Sequence, residues 1–269
     1  MTYATIDRNA LPDSLQAFAP QIQATAKSSI EMNLQPAEHL KLWQSKVGGV
    51  PYLPIGVAYP QNAEGQDLQL LAQINFAELP ANDVYPATGI LQFFINPHDD
   101  LYGLDFDDQQ LQDGFRVIFH EVVTEDPAGL QQVFPDLDTE DGMSPVVGQY
   151  AVQFSAAQHY IDINDFAFAE KVTDPFAMED EEGEAFCDEY SELFSGNGHR
   201  LGGYPFFTQT DPREYQEEIQ DYVLLLQIDT DNEGAEIMWG DSGVGNFFIH
   251  PDDLKKRDFS KVLYNWDCC

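Results

Sequence analysis

The chain matches itself. Slid by 154 positions, Gly48, Gly49 and Pro51 fall on Gly202, Gly203 and Pro205, and Gln66 and Asp67 fall on Gln220 and Asp221. Leu70, Leu71, Gln73 and Ile74 meet Leu224, Leu225, Gln227 and Ile228. Gly89, Phe93, Phe94, Ile95, Pro97 and Asp99 meet Gly243, Phe247, Phe248, Ile249, Pro251 and Asp253. With Glu64 on Glu218 and Ala81 on Ala235, the alignment holds 17 identities over the 52 ungapped positions from Gly48 to Asp99. Average composition gives roughly 3 at ~6% per aligned pair. Two units are too few for a solenoid, which needs at least three to bury its faces. The expectation is an internal duplication, with repeats 48–99 and 202–253, packed about a pseudo-twofold axis within one compact domain spanning 1–269.

Each repeat reads alike. A Gly-Gly-x-Pro turn uses backbone torsions closed to other residues. An apolar strand follows, Leu70–Phe76 or Tyr222–Ile228, continuous enough to be central and covered on both faces. A Phe-rich strand closes the unit, Gly89–Ile95 or Gly245–Ile249. Outside the repeats, Leu11, Leu15, Phe18 and Ile22 have helical spacing, interrupted by Pro20. Ile30, Met32 and Leu34 alternate as in a half-buried strand, and Glu38–Ser45 suits a helical turn or two. Phe115–Phe119 and Val146–Phe154 read as strands, and Thr124–Ser144 as an acidic, turn-rich loop. Glu179–Phe194 is the strongest helix: Phe186, Tyr190, Leu193 and Phe194 share a face, and its first turn is acidic. The tail 258–267 carries four apolar or aromatic anchors and is expected to dock. The fold class is therefore α+β: a mostly antiparallel β-sheet with internal duplication into pseudo-twofold related halves, and peripheral helices.

Charge narrows the function. There are 47 Asp and Glu against 12 Lys and Arg, a net charge of −35. Repulsion from phosphates excludes nucleic acid as the expected partner. A solubilising surface is the ordinary reading of such acidity, and a docking face for a basic partner is the sharper one. No apolar run approaches the ~20 residues of a membrane span. The first residues, MTYATIDRNALPDSL, carry neither a basic n-region nor an apolar h-region, so no secretory signal is expected. Three cysteines make no disulfide framework, and the terminal Cys268-Cys269 pair has no other prenylation signal beside it. A cytoplasmic setting is expected.

SKVGGVPYLP at 45–54, LLAQINFAELP at 70–80, GILQFF at 89–94, HRLGGYPFFTQTDPR at 199–213, LLLQIDTD at 224–231, WGDSGVGNFFI at 239–249 and the closing DFSKVLYNWDC resemble the bacterial YwqG-like family. The resemblance runs from about residue 40 to the C-terminus. That family is of unknown function. It implies a cytoplasmic α+β protein with an internal duplication rather than an activity. Members sometimes accompany toxin–immunity gene sets, which implies a binding role.

Candidate site residues come from places where the repeat changes chemistry. His199-Arg200 breaks the repeat beside the second Gly-Gly, and Arg213, after Asp211-Pro212, is a further cation for an anion or substrate. Gln209 lies in the same segment. Gln227 and Asp229 project from one face of a strand, and with Gln73 they would line a cleft between the halves. Asp241 occupies a glycine-rich turn, where Asp most often bonds its own backbone. In each case the rival is a satisfied structural polar group. Asp229–Gly234 begins like a calcium loop, but its twelfth position is Gly240 rather than Glu, so no metal is expected. CxxC, HExxH, GxSxG, P-loop and dinucleotide patterns are absent, and no cofactor is expected. The reading leans to a non-enzymatic, immunity-type binding protein with a basic protein partner. The alternative is an enzyme or small-molecule binder using a cleft between the repeats.

Overall fold

Two short helices, α1 (Asp13–Gln16) and α2 (Ala19–Ala24), open the chain, because Pro20 can occupy only a first helical turn. The structure, a computed structural model, describes residues 3–137 and 144–268. Part of the acidic loop, 138–143, and Cys269 lie outside the described residues. The strands that follow are β1 (Lys27–Pro36), β2 (Lys46–Gly48), β3 (Gln69–Asn75), β4 (Ile90–Ile95), β5 (Arg116–His120), β6 (Val146–Val147) and β7 (Gln149–His159). Helices α3 (Phe168–Lys171) and α4 (Asp180–Phe194) lead into β8 (Arg200–Gly202), β9 (Val223–Asp229), β10 (Glu236–Ile237) and β11 (Val244–Ile249). Helix α5 (Pro251–Lys256) and β12 (Leu263–Asp267) close the chain.

Ten strands form one antiparallel sheet in the order β12-β11-β9-β8-β1-β7-β2-β3-β4-β5, and β6 pairs with β10 in a small second sheet. The fold class is thus α+β, mostly antiparallel, with the helices at the periphery. The long pair β1–β7 is the spine, in register from Lys27↔His159 to Pro36↔Tyr150. On either side stands a four-stranded wing, β2-β3-β4-β5 and β8-β9-β11-β12. The wings share register at an offset of 154. Lys46 pairs with Gln73 and Arg200 with Gln227. Gln73 pairs with Gln92 and Gln227 with Asn246. Both ladders skip one residue at the equivalent position, Leu71 and Leu225. Such bulges sharpen strand twist, and the wings curl onto one core. The Phe93 and Phe247 rings lie 4.9 Å apart across it, and Phe115 reaches Tyr264 at 5.2 Å. Alternation on β1 turns Ile30, Met32 and Leu34 into the same core.

A second core lies under α4. Phe186 and Tyr190 pack against Leu11, Leu15, Ile22, Ile161 and Phe168, leaving the opposite face of α4 to solvent. Two expectations need correction. Val146–Phe154 is not one strand: Gly148, at φ 87, divides it into β6 and β7. Glu38–Ser45 is not helical either, because the carbonyls of Lys41, Leu42 and Gln44 point inward to accept bonds from side chains. Among the described residues, no helix is long and apolar enough to cross a membrane.

Candidate functional site

Each wing ties its Gly-Gly turn down with a buried polar knot. In the second wing, Gly202 and Gly203 adopt φ 67 and 75, the left-handed region that favours glycine. A side chain at Gly203 would press on Ser29 and His159. Gln227, fully buried on β9, holds the turn. Its Oε1 accepts from the Phe206 amide at 2.8 Å, and its Nε2 donates to the Gly196 and Gly198 carbonyls at 2.8 and 2.7 Å. Asn246 on β11 donates to the Phe206 carbonyl at 2.8 Å. Arg200 donates to the Gly196, Asn197 and Tyr204 carbonyls, while its Nε stands 3.5 Å from Glu31. His199 Nδ1 accepts from the Asp229 amide at 3.0 Å, so Nε2 carries the proton and faces Asp231 at 3.4 Å. Asp229 accepts from the Gly198 and Thr230 amides.

The first wing repeats the arrangement at 154 residues' distance. Gln73 Oε1 accepts from the Tyr52 amide and from Gln92, and its Nε2 donates to the Leu42 and Gln44 carbonyls. Gln92 donates to the Tyr52 carbonyl. Lys46 takes the place of Arg200, donating to the carbonyls of Lys41, Leu42 and Val50. Ser45 accepts from the Asn75 amide as His199 does from Asp229. Asn75 donates to the Trp43 carbonyl at 2.9 Å.

Burial sets the electrostatics. It lowers the pKa of His199 and of Arg200, and lowers that of Lys46 to about 8. It raises Asp229, and raises Asp162 beside Gly196 to about 6. These shifts follow desolvation of the charged form. Each of these knot side chains has at least one backbone partner and so helps to hold the turn, while Arg200 Nε and Asn246 Oδ1 are buried without a hydrogen bond.

The structure brings His199, Arg200, Gln227 and Asp229 together around carbonyls 196–198. Gln73 does not join them, because β8, β1, β7 and β2 separate β9 from β3. Arg213 belongs to a different buried cluster: it forms a fork with Asp211, reaches Asp165 at 2.9 Å, donates to the Tyr222 carbonyl and lies between the Phe166 and Phe248 rings. Gln209 ties the C-terminal strand through Asp267 and Cys268. Asp241 sits on an exposed turn. Sequence reasoning passed over Lys46, Gln92 and Asn246. The offset of 154 marks all three, since Lys46 stands opposite Arg200 and an amide recurs at 92 and 246 inside otherwise apolar strands. Among the described residues, no group of three or more His, Cys, Asp or Glu could hold a metal ion.

Open space lies instead along the seam between the wings. At one end Glu38, Gln149, Tyr150, Glu233 and Glu236 border a wide acidic depression of about 660 Å³. At the other, Lys27, Tyr85, Val223 and Leu254 border a more apolar groove of about 380 Å³. Residues 45–268 match the model of a family described as a domain of unknown function (DUF1963). The chain belongs to that family. No curated protein matches it.

Proposed function

We propose that this member of the DUF1963 family is a non-enzymatic binding protein that holds a basic protein partner on the exposed face of α4, in the manner of an immunity protein masking its target. We also read the chain as YwqG-like and its two knots as products of internal duplication. The shared motifs support the first reading and the shared registers support the second.

One observation carries the binding role: Phe176, just before α4, is 94% exposed. It borders a depression of about 250 Å³ with Pro175, Met178, Gly183 and Cys187. Around it Asp174, Glu179, Asp180, Glu181, Glu184 and Asp188 face solvent. The buried side of α4 fixes this surface, since Phe186 and Tyr190 are anchored in the second core. Little positive charge offsets it, because three of the 12 basic side chains, Lys46, Arg200 and Arg213, are buried elsewhere. An exposed aromatic ring in a field of one sign suits a partner with an apolar pocket and a basic rim. Aromatic anchors supply much of the binding energy at such contacts, and the charges mainly steer association.

The test is variant-dependent retention. The wild type should retain a basic protein at about 50 mM salt and release it at about 500 mM, where screening shortens to a few ångströms. Phe176→Ala and the triple change Glu181→Gln, Glu184→Gln, Asp188→Asn should each lose that same protein. All four positions are exposed, so the fold should survive. Retention untouched by both variants would end the proposal.

A further inference from the structure

In the second knot two charged side chains close on a single peptide group. The peptide joining Asn197 to Gly198 accepts at its carbonyl from the Arg200 guanidinium and donates its N–H to Asp229 Oδ2 at 2.7 Å. Both charges are buried, Arg200 at 1% exposure and Asp229 at 8%. The first knot treats the matching peptide, Trp43 to Gln44, differently. Its carbonyl accepts from the neutral Asn75 amide, and its N–H turns to the Lys41 carbonyl at 3.1 Å. A cation at the oxygen and an anion at the hydrogen pull a peptide in the same direction. Both favour the form in which the nitrogen has shed its proton and the negative charge rests on oxygen. Burial raises the pKa of Asp229, which makes its carboxylate the better proton acceptor.

A nitrogen in that state is a nucleophile, and the sequence sets an electrophile beside it. Asn197 is the single asparagine of the chain that is followed by glycine. The carboxamide carbon of an asparagine can close a five-membered ring with the next residue's nitrogen, and a glycine there has no Cβ to obstruct the approach. Asn197 is exposed, and among the described residues its carboxamide makes no hydrogen bond that would hold it away. The backbone on either side is fixed, since Gln227 donates to both the Gly196 and Gly198 carbonyls. Nucleophile, proton acceptor and polarising cation are thus held by the knot, and only the asparagine side chain has to turn.

We propose that Asn197 is a self-modification site, deamidated by the knot that surrounds it. The Gly198 nitrogen attacks Asn197 Cγ, and its proton passes to Asp229 and on to the departing ammonia. The N–Cγ bond forms as the Cγ–Nδ2 bond breaks, which leaves a cyclic imide. Water opens the ring at either carbonyl to give aspartate or isoaspartate. The isoaspartyl form adds a methylene to the backbone between the two carbonyls that Gln227 bridges, so the second knot ages and the first does not. The site is apart from the exposed face of α4, and either proposal can fail alone. Peptide mapping of the full chain at neutral pH reads the conversion as the change in mass from amide to acid in the peptide ending at Arg200. Restrained backbone ordinarily protects an asparagine, whereas here the native chain should convert about tenfold faster than the same chain unfolded in guanidinium chloride. Asp229→Asn should slow the native rate about tenfold, and Arg200→Lys should slow it less. Both changes loosen the knot, so a rate governed by flexibility alone would rise in them. Asn197→Gln is the blank and should keep its mass. A native chain slower than the unfolded one, or variant rates that do not fall, would overturn the assignment; should neither variant fold, the ratio of native to unfolded rates in the wild type decides by itself.

Discussion

The two polar knots solve one packing problem with different chemistry. In the first, a single ammonium on Lys46 serves three carbonyls, and the neutral amide of Asn75 takes the fourth, that of Trp43. In the second, the wider guanidinium of Arg200 reaches Asn197, the equivalent of Trp43, by itself. Position 229 is then free to be a carboxylate that accepts the Gly198 amide. The change from Lys to Arg and the change from Asn to Asp are therefore one change. The difference teaches that a backbone scaffold fixes where donors and acceptors must meet, while leaving open how much charge is buried in meeting them. The first knot holds one buried charge, and the second holds Arg200 beside Asp229, Asp162 and Glu31.

The sharpest way to break this comparison is to remove the shared strut. Gln227→Leu leaves the Phe206 amide and two carbonyls to find new partners, and Gln73→Leu does the same to the Tyr52 amide and two carbonyls while also taking one of the two acceptors of the Gln92 amide. Each unmet buried group costs about 1–3 kcal/mol, partly offset where Arg200 or Lys46 shares a carbonyl. Both variants should lose at least about 3 kcal/mol, with Gln73→Leu the worse, read as a fall in urea midpoint at unchanged slope. A milder Gln73→Leu would mean that the knots are not equivalent struts.

The knots should also titrate at opposite ends of the pH scale. The Lys46 pKa falls from 10.5 to about 8 through burial. Between those values the unfolded chain holds the proton that the folded chain has lost, so stability rises with pH. Lys46→Met should remove that rise, up to about 3 kcal/mol across the window. In the second knot burial lowers His199 from 6.5. Here the unfolded chain takes up the proton first as pH falls below 6.5, so stability drops on acidification. Asp162 and Asp229, both raised by burial, work the other way, and Arg200 and Asp231 also face the imidazole. His199→Ser installs the residue of the first knot and leaves those groups in place. The wild type minus His199→Ser difference in stability should shrink as pH falls from about 6.5 toward 5, and a constant difference would exclude His199 as the source.

Swapping the paired change gives a smaller, more selective effect. Arg200→Lys alone withdraws the donor from the Asn197 carbonyl, and Asp229→Asn alone sets an amide hydrogen against the Gly198 or Thr230 amide. Together they recreate the first knot's pairing, in which an Asn amide serves that carbonyl. A double-mutant cycle in chemical denaturation should show about 1–2 kcal/mol of favourable coupling. Simple additivity would show that position 229 is indifferent to its cation.

Much of this architecture is legible in the sequence where periodicity is long. The alternation of Ile30, Met32 and Leu34 marks β1, and the apolar runs mark β3 and β9 as covered strands. Strands β2 and β8, three residues each, are too short to carry a period and emerge only as the edges of the Gly-Gly turns. The four-residue cluster at His199, Arg200, Gln227 and Asp229 is readable because β8 and β9 are neighbours and the repeat changes there. Gln73 misleads because an offset of 154 identifies equivalent positions rather than touching ones. The partner of Arg213 at Asp165 is invisible for the opposite reason: 48 residues separate two side chains that meet only after α4 folds back. The seam groove is likewise made by loops whose meeting no local pattern announces.

Asp241 sets the lower limit of the comparison. It stands where the first wing has Ala87, in an exposed turn whose next residue, Ser242, takes the left-handed conformation at φ 68. A carboxylate there has water on one side and no buried group to satisfy. Asp241→Ala should change stability by no more than about 0.5 kcal/mol, and should leave retention on α4 unaltered. The same substitution at Asp229 removes the acceptor of two amides inside the knot and should cost several times more. Thermal unfolding of the two alanine variants side by side separates an acidic residue that belongs to the surface from one that belongs to the frame.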